Sequence, residues 1–184
     1  MSTIIGLSGS LRRGSYNTML LRAAAEMAPP GTTIEIGSIE GLPLYNADVE
    51  AEGIPEAVAR LKDRIAASDG LLIVTPEYNN SIPGVVKNAI DWLSRPPADI
   101  PKVFRGRRIA IIGATPGQSG TALAQVAWLP VLRTLGLAPW FGGRLQVSGA
   151  SKVFDADGRL VDEKVRGQLQ TFVTGFAAFV EGRG

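Results

Sequence analysis

The run Gly70-Leu71-Leu72-Ile73-Val74-Thr75 carries no polar side chain before its last position. A strand with one wet face alternates apolar and polar residues, so a run without alternation must be covered on both faces. Ile4-Ile5-Gly6-Leu7 reads the same way, and Arg108-Ile109-Ala110-Ile111-Ile112-Gly113 reads as a further strand. Strands buried on both faces are parallel ones, and parallel strands need helical crossovers. The sequence supplies them. Met19 to Met27 has helical spacing and is stopped by Pro29-Pro30-Gly31, and Ile54 to Ala67 repeats it through Ile54, Val58, Leu61 and Ile65. A helix is expected from Ile82 to Ser94, with Pro83 in its first turn and Pro96-Pro97 beyond its end. Further helices are expected over Ser119–Leu135 and Asp162–Val180. Thr32–Ile36 alternates like a strand, Gly41–Asp48 reads as a loop, and Ala138–Val147 reads as a strand broken by Gly142-Gly143. The pattern predicts one α/β domain over residues 1–184, an open doubly wound five-stranded parallel sheet with right-handed crossovers.

In such a sheet ligands bind beyond the carboxyl ends of the strands, where the winding reverses. Three loops should meet there, and all three are rich in small polar residues, Gly and Pro: Ser8–Asn17, Pro76–Ser81 and Ala114–Gly120. The first has the strongest chemistry. Gly9 and Gly14 let the backbone turn with N–H groups inward, Ser10, Ser15 and Asn17 add neutral donors, and Arg12 adds a planar charged fork. The helix that starts near Ser15 brings the positive end of its dipole, so the loop suits an anion. Ser15 and Asn17 can equally serve as helix caps. The loop has the Gly-x4-Gly spacing of a P-loop from Gly9 to Gly14 but lacks its lysine, and it lacks the Gly-x-Gly-x-x-Gly of dinucleotide sites. A terminal phosphate monoester fits it better than a pyrophosphate or a triphosphate.

Among the 184 residues there is no cysteine and no histidine. That excludes disulfides, thiolate nucleophiles, Ser-His-Asp and Cys-His catalysis, and nearly all structural zinc sites. With 19 basic and 17 acidic residues the net charge is only +2, which gives no electrostatic footprint for nucleic acid. No stretch approaches the roughly twenty apolar residues of a membrane span. Met1-Ser2-Thr3 runs straight into a strand without a charged leader, so a cleaved signal peptide is not expected and a cytoplasmic protein is.

Two motifs resemble the NADPH-dependent FMN reductase family, in particular its chromate and quinone reductase branch. They are Gly9-Ser10-Leu11-Arg12-x-Gly-Ser15-x-Asn17 and Pro76-Glu77-Tyr78-Asn79-x-Ser81-Ile82-Pro83-Gly84-x-x-Lys87-Asn88-Ala89-Ile90-Asp91-Trp92. The resemblance implies a flavodoxin-like fold of strand order 2-1-3-4-5 with FMN bound non-covalently. It implies the FMN phosphate on Ser10, Arg12, Ser15 and Asn17, with Tyr16 in the same cofactor-binding stretch. It also implies the isoalloxazine beside Pro76, Glu77, Tyr78 and Asn79, bordered by Thr115, Gly117 and Gly120. Tyr78 could instead be packing, Asn79 a turn former and Ser81 a cap. Ala114 and Pro116 interrupt the small hydroxyl pattern of relatives in the third loop.

A flavin would carry the electron chemistry that this chain's side chains cannot. The implied activity takes electrons from NADPH or NADH to small-molecule acceptors such as quinones, flavins, azo compounds or metal oxyanions including chromate. Arg13, Arg95, Lys102 and Arg105 are the basic candidates for a 2′-phosphate. A flavodoxin-like FMN carrier without pyridine-nucleotide activity is the alternative, and a module holding another phosphate ester is a third. Thr121–Leu132 is apolar nearly all round, more than one sheet face requires, and Pro130 should kink it. Another chain should cover part of that surface, unless the C-terminal helix does; the resemblance implies a homodimer or homotetramer, and no nucleic-acid or membrane partner is expected.

Overall fold

The computed structural model describes residues 1–182. Its centre is three parallel strands, β1 (Ser2–Ser8), β3 (Gly70–Val74) and β4 (Arg108–Ala114). β2 (Thr32–Gly37) flanks β1, and the short β5 (Ala138–Pro139) flanks β4, giving the order β2-β1-β3-β4-β5. Alternate side chains of each central strand enter two separate cores. Ile4, Leu72, Val74, Ala110 and Ile112 belong to one. Ile5, Leu7, Leu71, Ile73 and Ile109 belong to the other. This division is why the strands carry no polar face: each side of the sheet is roofed.

One core is closed by α1 (Tyr16–Glu26) and α7 (Glu163–Val180), through residues such as Leu20, Leu21, Phe172 and Phe176. The other is closed by α3 (Glu56–Ala66), α4 (Gly84–Leu93) and α6 (Ala122–Leu135), through Leu61, Ile65, Ile90, Trp128 and Leu132. The chain winds outward from β1 to β2 under one roof and returns to β3 under the other. The switch therefore falls between β1 and β3, and the loops leaving their carboxyl ends part there.

Several boundaries differ from the sequence-based expectation. The Gly41–Asp48 loop leads into a helix, α2 (Ala47–Glu52), capped by Asn46 Oδ1 on the Asp48 N–H at 2.9 Å. It buries no residue, so it leaves no apolar periodicity to read. α4 begins at Gly84, with Pro83 as its N-cap instead of inside its first turn, and a short α5 (Ile100–Val103) follows Pro96-Pro97. α6 begins at Ala122 and not at Ser119, because Gly120 and Thr121 sit in the left-handed region with φ of 58° and 66°. Pro130 lies inside α6.

The strand over Ala138–Val147, expected to break at Gly142-Gly143, is two fragments on either side of that pair. β5 and β6 (Gln146–Val147) each pair with β4, and the chain between them bends around the Trp140 indole. A Cβ on Gly142 or Gly143 would come within 2.5 or 2.8 Å of that ring, so the double glycine is what admits it.

Candidate functional site

Gly9 opens the first loop, and its role is close approach. Its N–H donates to Val74 O at 2.8 Å. A Cβ there would lie 2.8 Å from Pro76 Cδ, so the first two loops touch only because this residue has none. Gly14 differs from the expectation: its Cβ position faces open space and its backbone is not left-handed.

Arg12 is exposed but held. Its Nη2 donates to Gly14 O at 2.6 Å, and its guanidinium lies 5.6 Å from the centre of the Tyr16 ring. Tyr16 in turn stacks on Phe154. Ser15 is the N-cap of α1, accepting from the Thr18 N–H at 3.4 Å. The next two N–H groups, those of Tyr16 and Asn17, have no acceptor among the described residues. No acidic residue sits in that first turn. An anion there meets free donors and the positive end of a helix.

The Asn17 side chain works elsewhere than expected. Its Nδ2 donates to Ala114 O and its Oδ1 accepts from Ala114 N–H, both at 2.9 Å, and the residue is buried. Pairing between β3 and β4 ends at Val74 and Ile112. Asn17 thus supplies the hydrogen bonds that a strand would have given Ala114, and it ties the start of α1 to the end of β4.

In the second loop Asn79 and Asn80 take φ of 50° and 60°, so that Tyr78 and Ser81 exchange backbone hydrogen bonds of 3.2 and 3.0 Å. Two left-handed residues in succession make a tight turn that asparagine tolerates better than most. Pro76 is buried beneath this turn and Tyr78 is 50% exposed. Glu77 Oε2 leaves its own loop and accepts from the N–H groups of Leu123 and Ala124 at 2.8 and 3.1 Å.

The third loop is braced from behind. Thr115 N–H donates to Val147 O, Ala150 N–H to Thr115 O, and Gly149 N–H to Gly117 O. A Cβ on Gly120 would strike Gln146 at 2.7 Å, and one on Gly113 would strike Thr121 Oγ1 at 2.0 Å.

A cavity of about 420 Å³ lies where the three loops meet. Ser10, Arg12, Ser15, Tyr16 and Asn17 line it from the first loop, Pro76, Glu77 and Tyr78 from the second, and Thr115 from the third. Ala114 and Pro116 line it as well. Asn79, Gly117 and Gly120 do not: the first is at a turn tip and the other two lie in the braced part of the third loop. The volume is that of an ordinary small-molecule site.

The remainder of the second motif holds a neighbouring segment. Asn88 Nδ2 and Trp92 Nε1 both donate to Pro43 O at 2.8 Å, and Asn88 Oδ1 accepts from Tyr45 N–H at 2.8 Å. Lys87 pairs with Asp91 within α4. Next to them, Glu50 accepts from Arg95 Nε and Tyr45 Oη, both at 2.8 Å. The hydrogen bond from Arg95 is the main reason the Glu50 carboxyl is held below the usual glutamate range, with the Tyr45 hydroxyl adding to it. Arg95 is therefore engaged by Glu50, and Lys102 is paired with Asp63. Among the basic candidates for a 2′-phosphate, Arg13 and Arg105 have no ion pair among the described residues.

Comparison with known proteins bears on this cleft. The family model described as NADPH-dependent FMN reductase matches residues 2–152. An NAD(P)H-dependent FMN reductase of Pseudomonas aeruginosa is 48% identical over 167 residues, covering 91% of this chain and 89% of the relative. A 2-hydroxy-1,4-benzoquinone reductase of a Burkholderia species is 43% identical over 175 residues, covering 95% and 94%. Among solved structures, FerB, a flavoenzyme NAD(P)H:(acceptor) oxidoreductase of Paracoccus denitrificans, superposes with a TM-score of 0.89 at 38% identity over the whole of both chains.

Proposed function

Because the chain belongs to the NADPH-dependent FMN reductase family, we propose that it passes electrons from NAD(P)H through non-covalently bound FMN to small-molecule acceptors. The observation that carries this reading is the cavity at the winding switch, where Arg12 and the free N–H groups of Tyr16 and Asn17 face a space of about 420 Å³. That donor set fits FMN: a fork, two hydroxyls and a helix start for a phosphate dianion, and proline and tyrosine beside it for a flat ring.

FMN, when bound, supplies the capacity to take and give a hydride or single electrons, which no side chain here has. The chain's own residues bind and orient. Arg12, pinned to Gly14 O and laid on Tyr16, offers its remaining N–H groups without a search through rotamers. Ser10 and Ser15 offer hydroxyls. Asn17 contributes its main-chain N–H, since both ends of its side chain are committed to Ala114. Pro76 and Tyr78 from the second loop and Thr115 and Pro116 from the third line the same cavity and would form the sides of a ring slot. The half-exposed Tyr78 leaves that slot open to solvent, from which a nicotinamide and then an acceptor could reach the same ring face. Quinones are the first acceptor class to test, with flavins, azo compounds and chromate after them. Arg13, which adjoins Arg12 in the first loop and makes no ion pair among the described residues, is the cation to test for the 2′-phosphate; Arg105 precedes the amino end of β4, beside Gly136 and away from the cavity.

Self-association is part of the proposal. Leu123, Val126 and Leu129 on α6 are 49, 61 and 41% exposed, and Phe141 nearby is 74% exposed. Such a patch on one helix is the surface a second copy would cover, as a homodimer or homotetramer. Val126→Glu should then yield monomers in sedimentation, and a wild-type monomer would refute it. Among the described residues no helix is long and apolar enough to cross a membrane. A cytoplasmic enzyme is the location we propose.

The test is reconstitution. Protein incubated with FMN and desalted should stay yellow, and should oxidise NADPH or NADH continuously when a quinone is supplied. Colourless protein would refute the FMN reading, and a yellow protein inert to both nucleotides would leave a flavodoxin-like carrier in its place.

A further inference from the structure

The first turn of an α-helix leaves N–H groups without intrahelical acceptors, and a side chain at the N-cap ordinarily takes one or two. α6 has no such cap. Thr121 at its N-cap is left-handed and makes no capping bond; its hydroxyl accepts instead from Gln125 Nε2 at 3.2 Å. The Ala122 N–H finds Ser119 O, and the Gln125 N–H finds Thr121 O. The two between them, on Leu123 and Ala124, both donate to Glu77, 46 and 47 positions earlier in the chain.

From this geometry we propose that Glu77 is a positioning residue. Its carboxylate caps α6 from across the cleft and thereby fixes the spacing between the Pro76–Ser81 and Thr115–Gly120 loops, the two walls of the flavin slot. The inference rests on the FMN reading above and assigns the Glu77 side chain a task other than touching the ring.

The two partners differ in rigidity, and that gives the clamp its direction. The start of α6 is fixed: Thr121 is fully buried in space that Gly113 leaves free, and Gly120 is wedged against Gln146. The second loop has less to hold it. Among the described residues its turn is closed by the backbone bridge between Tyr78 and Ser81, and the Tyr78 side chain is 50% exposed. Pro76 packs on Gly9 at one end, and Glu77 ties the next residue to the helix. A negative group at the positive end of a 14-residue helix is electrostatically favoured, and both bonds are charge-assisted. Tyr78 is thus aimed by its neighbour.

The experiment compares Glu77→Ala and Glu77→Gln with wild type in two measurements. Amide exchange is followed at Leu123 and Ala124 in the protein without flavin, and binding of FMN and of riboflavin is followed by flavin fluorescence. Glu77→Ala should speed exchange at both amides and weaken both flavins by about tenfold, the scale of one lost charge-assisted contact, because the slot and not the phosphate cradle is disturbed. Glu77→Gln keeps an oxygen acceptor and should restore most of the affinity. Unchanged exchange in Glu77→Ala would overturn the clamp. Faster exchange with unchanged flavin affinity would overturn its control of the slot, as would failure of glutamine to rescue. If wild type bound no FMN while Glu77→Ala still freed the two amides, the FMN reading would have failed and the slot assignment with it, the cap alone standing.

Discussion

Replacing Arg12 by alanine removes the only guanidinium that lines the cavity among the described residues, and its effect can be worked from the contacts. A hydrogen bond to a charged group contributes about 1.5 to 3 kcal/mol. Arg12 is exposed, so screening by solvent places the loss in the lower part of that range, about 1.5 to 2 kcal/mol. That corresponds to a rise in the FMN dissociation constant of about 10- to 30-fold. The fold should survive, since the residue is a surface one whose contacts are Gly14 O and the Tyr16 ring. Titration of the apoprotein by quenching of flavin fluorescence measures the change, and riboflavin is the control. Riboflavin has no phosphate, so its affinity should be the same in both proteins. Arg12→Lys keeps the charge but not the fork and should fall between them. An unchanged FMN affinity, or an equal loss for riboflavin, would refute the placement of the phosphate at this loop.

Asn17→Ala leaves the buried N–H and C=O of Ala114 unpaired, which should cost about 2 to 4 kcal/mol and show as a lower midpoint in denaturant. Gly9→Ala should destabilise by about 1 to 3 kcal/mol, because its Cβ meets the Pro76 ring, whereas Gly14→Ala should stay within about 0.5 kcal/mol of wild type; a comparison of the two melting curves checks both. Glu50 has its carboxyl held below the ordinary glutamate value of about 4.3, chiefly by Arg95. Its contribution to stability is therefore complete above that ordinary value and disappears as pH falls through the lowered one. Glu50→Gln should flatten this acid limb in denaturation curves recorded across the range, and an unaltered limb would refute the linkage.

Much of this architecture could be read without coordinates. The non-alternating runs at Ile4–Leu7 and Gly70–Val74 could only be strands roofed on both faces, and both cores are there. The three polar loops were legible as loops, and their convergence followed from topology. Less legible was which atom each polar residue serves. Asn17 was grouped with the phosphate donors, and its side chain completes hydrogen bonding at Ala114, 97 positions away, leaving only its main-chain N–H for the cavity. Asn88 and Trp92 sit in a cofactor-site motif and hold Pro43. The break in the last strand was legible at Gly142-Gly143, but its cause, the Trp140 ring that the two glycines admit, was not.

Sequence by itself determined the layers and the neighbourhood of the cleft, because these follow from periodicity and from local backbone preferences that each segment carries wherever it is placed; the strand order was implied by the resemblance of two loop motifs to a known family. Only the tertiary structure decided that Gly9 and not Gly14 is needed for close packing, that Glu77 caps α6, and that Asn17 lines the cavity while Asn79 does not. A hydrogen bond or a steric contact depends on distances of a few ångströms between segments far apart in the chain, and no pattern within either segment encodes that distance.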